Sequence, residues 1–383
     1  MRYTDKEIEK VSNLIKNSSL LSGYTNKYLG GEEIQKFENE FARYHDCKFG
    51  ITVNSGTSAL FVSQKAAGIN KTEVAVPAIT FTATTSQVLA CNSKPKFMDI
   101  NKETYCMNCD FDYSKIKYAI PVHLLGHPLG FQEIKKMKDE GVFVIEDCAQ
   151  ATGAKDGNKM VGSMGDCGIF SFQETKHITT LGEGGIIITN NEEFAEKCRR
   201  IRNHGEYYKD SMEIGYNFRM TEIQAGFGRL QLKRLPQIIK KFKENANYIY
   251  KNLPNFIEPP KIKKNVEHSF FILGCKYQQK MLTKTREEYL KKLSEKREKE
   301  FEKEEDSDIK GINSKPGKII GSGYKSVQYE IPLYKKYKPK IKLQNAENFV
   351  KQSIFLDIHR WRSRNEINKE LELMQNVQKE MSN

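Results

Sequence analysis

Between residues 49 and 189 short apolar runs alternate with stretches of helical spacing. Phe49-Gly50-Ile51-Thr52-Val53 reads as a strand, and 57–67 as a helix after a glycine turn. Glu73-Val74-Ala75-Val76-Pro77 is a second strand, 82–90 a helix and Lys96-Phe97-Met98-Asp99 a third strand. The runs 118–122 and 142–145 flank a Lys-rich helix at 131–140, and 169–172 and 185–189 add two further strands. Such a βαβα rhythm folds into a mostly parallel sheet covered by helices, an α/β architecture. Residues 1–50 read as helical, with Phe37, Phe41 and Tyr44 at helical spacing.

Beyond residue 190 the pattern is helical to about 250, with Ile223, Phe227, Leu230 and Leu235 on one side of a helix over 223–235. Pro254, Pro259 and Pro260 break it, and strand character returns over 268–277. A helix near 284–305 and the Pro332 region predict a smaller α+β lobe. The expected division is a large domain with an N-terminal helical segment over 1–250, and a small domain over 251–383. The small domain carries a charged insertion near 296–318, whose 306–318 part has the composition of a surface loop.

A chain of 383 residues can bury a large core. Its charged N-terminus lacks an apolar signal core, and no apolar run approaches the roughly 20 residues of a membrane span. The expectation is a cytoplasmic protein. Eight scattered cysteines do not make a disulfide scaffold. Cys106 and Cys109 form one CxxC, but no second pair completes a zinc site, so no metal is expected. The net charge of +13 comes from lysines concentrated after residue 230 and interleaved with glutamate, the pattern of solvated helix faces rather than of nucleic-acid binding. A positive field also suits a polyanionic small substrate.

Three strings carry chemistry. The apolar run Val142-Phe143-Val144-Ile145 ends in Glu146-Asp147, and neighbouring strand residues face opposite ways, so the two acids serve different roles. Asp147 stands at the strand end, where open α/β sheets bind ligands, although it could equally cap the next helix. Lys176 lies in a loop closing on Gly182-Glu183-Gly184-Gly185, and glycines allow close approach of backbone to a ligand. An acid at a strand end and a lone lysine in such a loop are what pyridoxal phosphate (PLP) chemistry requires. The lysine carries the cofactor covalently and the acid pairs with its ring nitrogen. His177 reads as a neighbour rather than a catalyst. Asn54-Ser55-Gly56-Thr57-Ser58 opens a helix after a strand, which is either an anion site or plain capping.

These strings, with Val76-Pro77-Ala78-Ile79-Thr80-Phe81, Ile145-Glu146-Asp147-Cys148-Ala149-Gln150, Arg202-Asn203-His204-Gly205 and Gly215-Tyr216-Asn217-Phe218-Arg219-Met220-Thr221-Glu222, occur in the order seen in one family. Over residues 20–240 the chain resembles the DegT-like nucleotide-sugar aminotransferases of PLP fold type I. The resemblance implies that Lys176 bonds the cofactor and Asp147 pairs with its ring nitrogen. It further implies that Phe81 stacks on the ring, Gln150 contacts the ring hydroxyl, and Thr57, Ser58 and Ser171 hold the phosphate. Asn217 then reaches the phosphate of a neighbouring subunit, which implies a homodimer with shared active sites. The implied reaction moves an amino group from an amino acid, glutamate, to a keto-sugar nucleotide. Related activities are amination of a keto-cyclitol and PLP- or PMP-dependent sugar dehydration; the dehydratase branch has His in place of the lysine. Gln328 and Tyr334 stand where relatives often have His, in a segment near the sugar nucleotide.

Overall fold

The computed structural model describes residues 3–24, 28–207, 210–281, 284–301, 320–321, 323–356, 358 and 363–382. Its centre is a seven-stranded sheet. The strands are β1 (Phe49–Val53), β2 (Glu73–Pro77), β3 (Lys94–Met98), β4 (Tyr118–Ala119), β5 (Phe143–Asp147), β6 (Cys167–Ser171) and β7 (Gly185–Thr189). Their spatial order is β1-β7-β6-β5-β4-β2-β3. The run from β3 to β6 is parallel, whereas β7 lies antiparallel between β1 and β6. The mostly parallel sheet expected from the alternation is therefore present.

Helices cover it: α1 (Asp5–Asn17), α2 (Glu32–Tyr44), α3 (Gly56–Ala66), α4 (Thr82–Ala90), α5 (Phe131–Asp139), α6 (Glu192–Arg202) and α7 (Glu222–Asn252). With helices on both sides, the central strands are buried on both faces and read as unbroken apolar runs. Ile186, Ile187 and Ile188 of β7 are accordingly fully buried. Helix α7 runs well past the expected 223–235, straight through Pro236. A mid-helix proline costs roughly 3 kcal/mol. Here burial of Ile238, Phe242, Ala246 and Ile249 beyond it keeps one apolar face continuous and offsets that cost. At its start, Glu222 accepts from the amides of Glu33 at 2.9 Å and Ile34 at 3.3 Å, which caps α2 and locks the N-terminal segment onto α7.

The C-terminal part forms a second, four-stranded antiparallel sheet. Its strands β8 (Ile257–Glu258), β9 (Leu273–Tyr277), β10 (Ile320–Gly321) and β11 (Ser353–Leu356) are ordered β8-β9-β11-β10. Helices α8 (Arg286–Phe301), α9 (Gln344–Gln352) and α10 (Arg364–Ser382) pack with it. The expected helix near 284–305 is seen as α8, and most of the expected insertion, including 306–318, lies outside the described residues. No helix among the described residues is long and apolar enough to cross a membrane.

Candidate active site

The parallel strands β2 and β5 end on the same side of the sheet, where the side chains singled out in the sequence converge. Glu146 and Asp147, the last two residues of β5, point opposite ways as strand geometry demands. Glu146 is fully buried and accepts from the amides of Gly162 at 2.9 Å, Met164 at 2.8 Å and Gly165 at 2.5 Å, and from His123 Nε2 at 2.9 Å. His123 Nδ1 accepts from the Leu129 amide at 2.9 Å, which leaves Nε2 as the nitrogen that donates to Glu146. Cys148 lies with these two within 4.8 Å, in a trio that could hold a metal. Its thiol is pushed well above the usual range by burial, and the lone pairs of Glu146 are already committed to backbone N–H groups, so this acid is a structural anchor.

Asp147 faces the site. The Thr84 hydroxyl donates to its Oδ2 at 2.8 Å, and the Ala149 amide to its Oδ1 at 3.1 Å. Burial raises its pKa, while those two bonds and the Lys176 ammonium pull it back. Lys176 sits with Nζ 4.3 Å from the centre of the Phe271 ring. Burial lowers its pKa to about 8 against the opposing pull of Asp147 and Glu183. The loop that carries it is closed by backbone bonds from Phe172 to Gly184 at 2.8 Å and from Glu174 to Gly182 at 2.9 Å. His177 meets the same Phe271 ring as Lys176. It is fully buried, rings with Phe242 and Phe271, and meets the Ser269 carbonyl at 3.0 Å, as befits a neighbour of the reactive group.

At the end of β1, Ser55 caps α3 by accepting from the Ser58 amide at 3.0 Å, and the Ser58 hydroxyl donates to Asn54 Oδ1 at 2.6 Å. The amides of Gly56 and Thr57 have no protein acceptor among the described residues. Thr57 is exposed, and a Cβ on Gly56 would lie only 2.8 Å from Ser171 Cβ. Ser55 is thus the cap, and the Gly56 and Thr57 amides are left open beside Ser171, where a helix start can take an anion.

Phe81 precedes α4 and is 62% exposed, an aromatic face open at the end of β2. The backbone on either side of it is gripped by the C-terminal part. Gln328 donates from its amide to the Ala78 carbonyl at 2.8 Å and from Nε2 to the Thr80 carbonyl at 2.7 Å; the Tyr334 hydroxyl lies 2.6 Å from Thr82 Oγ1. Both side chains are buried, so they act on the Phe81 loop rather than presenting polar groups to a sugar. Gln150 accepts at Oε1 from the Leu125 amide at 2.8 Å. Asn217 is exposed on the segment before α7, where its backbone bridges Asn203. Within one chain, then, Asp147 and Ser171 end strands, Thr57 and Ser58 open α3, Phe81 precedes α4, and Lys176 and Gln150 lie on the loops that follow β6 and β5, all at the same edge of the sheet, while Asn217 is exposed. Thr84, Phe271 and the grip of Gln328 and Tyr334 escaped sequence reasoning. Only Thr84 left a trace, one helical turn after Phe81.

Cys106 and Cys109 are buried, with both thiols pushed up to about 12 by burial, and this disfavours the thiolate that metal or redox work needs.

A model of the DegT/DnrJ/EryC1/StrS aminotransferase family matches residues 9–300. The chain belongs to this family. Among curated members it is 37% identical to the GDP-perosamine synthase of Escherichia coli O157:H7 over 269 residues, 67% of this chain and 71% of that one. It is 30% identical over 349 residues to the UDP-4-amino-4,6-dideoxy-N-acetyl-beta-L-altrosamine transaminase of Campylobacter jejuni serotype O:23/36, covering 86% and 85% of the two chains. The solved aminotransferase from Psychrobacter cryohalolentis superposes with a TM-score of 0.86 at 27% identity, over 100% of this chain and 98% of that one. As a DegT/DnrJ/EryC1/StrS aminotransferase the chain is a PLP-dependent enzyme of fold type I. The site fits that cofactor: an amine of lowered pKa, a buried acid, an open aromatic face and a cradle of free amides beside Ser171.

Proposed function

We propose that this aminotransferase moves an amino group from glutamate to a keto-sugar nucleotide, in the cytoplasm, for surface-glycan or related amino-sugar synthesis. The observation that carries the reading is Lys176, whose amine burial has made partly neutral near pH 8 beside the buried Asp147. When bound, PLP supplies an electron sink for the pair released as a substrate C–H bond breaks. Lys176 holds the cofactor and, once displaced by the amino donor, moves the proton at its Nζ. Asp147 keeps a proton on the ring nitrogen by its negative charge. Phe81 stacks on the ring, Gln150 orients the ring oxygen, and Thr57, Ser58 and Ser171 with the free α3 amides bind the phosphate. The named activities of the two curated relatives and the chain's +13 charge support an anionic sugar-nucleotide substrate. Incubating purified enzyme with glutamate and a panel of keto-sugar nucleotides, read by mass spectrometry, is expected to give an amino sugar and 2-oxoglutarate in equal amounts. Amination of keto-cyclitols alone, or loss of water without an amino product, would replace the proposal with those activities.

The active form in this proposal is a homodimer in which Asn217 completes the partner's phosphate site. Exposed Leu20, Tyr24, Leu181, Met212 and Ile214 support it. Leu20, Tyr24 and Leu181 lie on segments tied to the start of α7: the Leu21 carbonyl accepts from the Glu222 amide at 3.0 Å, the Arg219 guanidinium lies 4.9 Å from the centre of the Tyr24 ring, and Gln224 reaches the Glu183 carbonyl at 2.9 Å. An apolar surface of this kind marks an association face. Light scattering is expected to give twice the chain mass of 44.2 kDa. Placing Glu at both Met212 and Ile214 should shift the mass toward the monomer and weaken cofactor retention. A monomer that is fully active would remove the shared-site reading.

A further inference from the structure

We propose that Tyr324 is a positioning residue for the cofactor ring, acting through the side-chain amide of Gln150. The proposal rests on Gln150 facing the ring oxygen, as read above.

Leu125 has a left-handed backbone, with φ of 59°, and Gly126 follows at φ of 100°. The turn has no spare room, because a Cβ on Gly126 would lie 2.8 Å from both the Phe270 amide nitrogen and Ser269 Oγ. It is clasped by the Ser269 amide donating to the Gly126 carbonyl and the Phe271 amide to the Leu125 carbonyl, each at 3.0 Å. The direction of the Leu125 N–H is therefore fixed, and it is this N–H that Gln150 Oε1 accepts at 2.8 Å. That bond settles which end of the amide is oxygen.

Nε2 then has two hydrogens to place. One goes to the Tyr324 hydroxyl at 3.1 Å. With both ends anchored, rotation of the amide breaks one bond or the other, so the remaining N–H keeps a single direction. Without Tyr324 the amide is tethered only at Oε1 and swings about that contact.

Tyr324 is itself well held. Its ring meets Phe355 edge-on, with centroids 5.8 Å apart and planes at 89°. The preceding Gly323, at φ of 67°, packs so closely on Phe355 that a Cβ there would lie 2.7 Å from the ring. Burial pushes the phenol up to about 12, so at working pH it stays neutral, accepts from Gln150 and retains its own proton. Tyr324 belongs to the C-terminal part and Gln150 lies 174 residues earlier, so the bond also ties the two parts of the chain together at the site.

The readout is the visible absorption band of the bound cofactor, titrated against pH. The band changes as the proton shared by the Lys176 nitrogen and the ring oxygen departs. A donor on the ring oxygen draws charge from it, loosens its hold on that proton and lowers the midpoint. Gln150→Leu is expected to raise the midpoint by about one pH unit. Tyr324→Phe, which keeps the ring on Phe355, is expected to raise it by about half a unit. The double variant should go no further than Gln150→Leu, since Tyr324 acts only through that amide. A midpoint moved by Gln150→Leu and untouched by Tyr324→Phe overturns the proposal, as does an additive double variant. An unmoved midpoint in Gln150→Leu would instead overturn the role given to Gln150, and the proposal with it. Should Tyr324→Phe hold no cofactor, Tyr324→His restores an acceptor for Nε2; return of the band upon PLP titration supports the proposal, and no return overturns it.

Discussion

Lys176→Ala keeps the cofactor only by noncovalent contacts and loses transamination by at least about 10⁴-fold. The size of the loss follows from one side chain doing two jobs, holding the cofactor covalently and carrying the proton. Borohydride reduction of the loaded wild-type protein is expected to leave a stable adduct on Lys176, and none on the Ala variant. The pH dependence of cofactor capture by the unloaded protein is a second check. Only the neutral amine reacts, and burial has brought its pKa to about 8. The capture rate should therefore climb from pH 7 to 9 and then level off, whereas an ordinary lysine would keep gaining past pH 10. Near-normal turnover by Lys176→Ala would end the assignment.

Asp147→Asn slows the proton-removal half-reaction by about 10²–10³-fold with the fold intact. Asn matches the shape of Asp, and both existing partners can be served: the Ala149 amide can still donate to Oδ1, and Thr84 Oγ1 can accept from the new amide. What disappears is the charge. Burial makes Asp147 costly to ionise, and the protein offsets that cost with Thr84, the Ala149 amide and Lys176. Burial still leaves its pKa raised, and in the proposed reading the ring nitrogen of the bound cofactor would supply the further cationic partner that holds the charge. Single-turnover stopped flow with glutamate tests it, and an unchanged rate would strip Asp147 of its role. Thermal melting equal to wild type would separate this loss from misfolding.

Much of the architecture was legible in the chain because its signals are local. Unbroken apolar runs such as Ile186-Ile187-Ile188 are what strands buried on both faces look like. The opposed roles of Glu146 and Asp147 follow from strand alternation alone, and the structure turns one into an anchor on three backbone amides and the other toward Thr84. The helical pattern read to about 250 matches α7, although a proline normally stops a helix and Pro236 sits inside it; the packing of the residues beyond it keeps α7 going. Gln328 and Tyr334 were readable as departures from the family pattern. That they grip Thr80 and Thr82 on either side of Phe81 was not, since each bond spans about 250 residues of chain.

The sequence by itself determined the class of fold, the family and the cofactor. Strand periodicity, a capped helix start and a lysine in a glycine-rich loop are each written within a few neighbouring residues, where backbone geometry acts directly. Tertiary structure alone decided how the site is held: Thr84 on Asp147, Phe271 under Lys176, and Tyr324 on Gln150. The physical reason is the order of the sheet, β1-β7-β6-β5-β4-β2-β3, which folds distant segments side by side. A hydrogen bond closed across such a crossover leaves no mark on the residues adjacent to either partner.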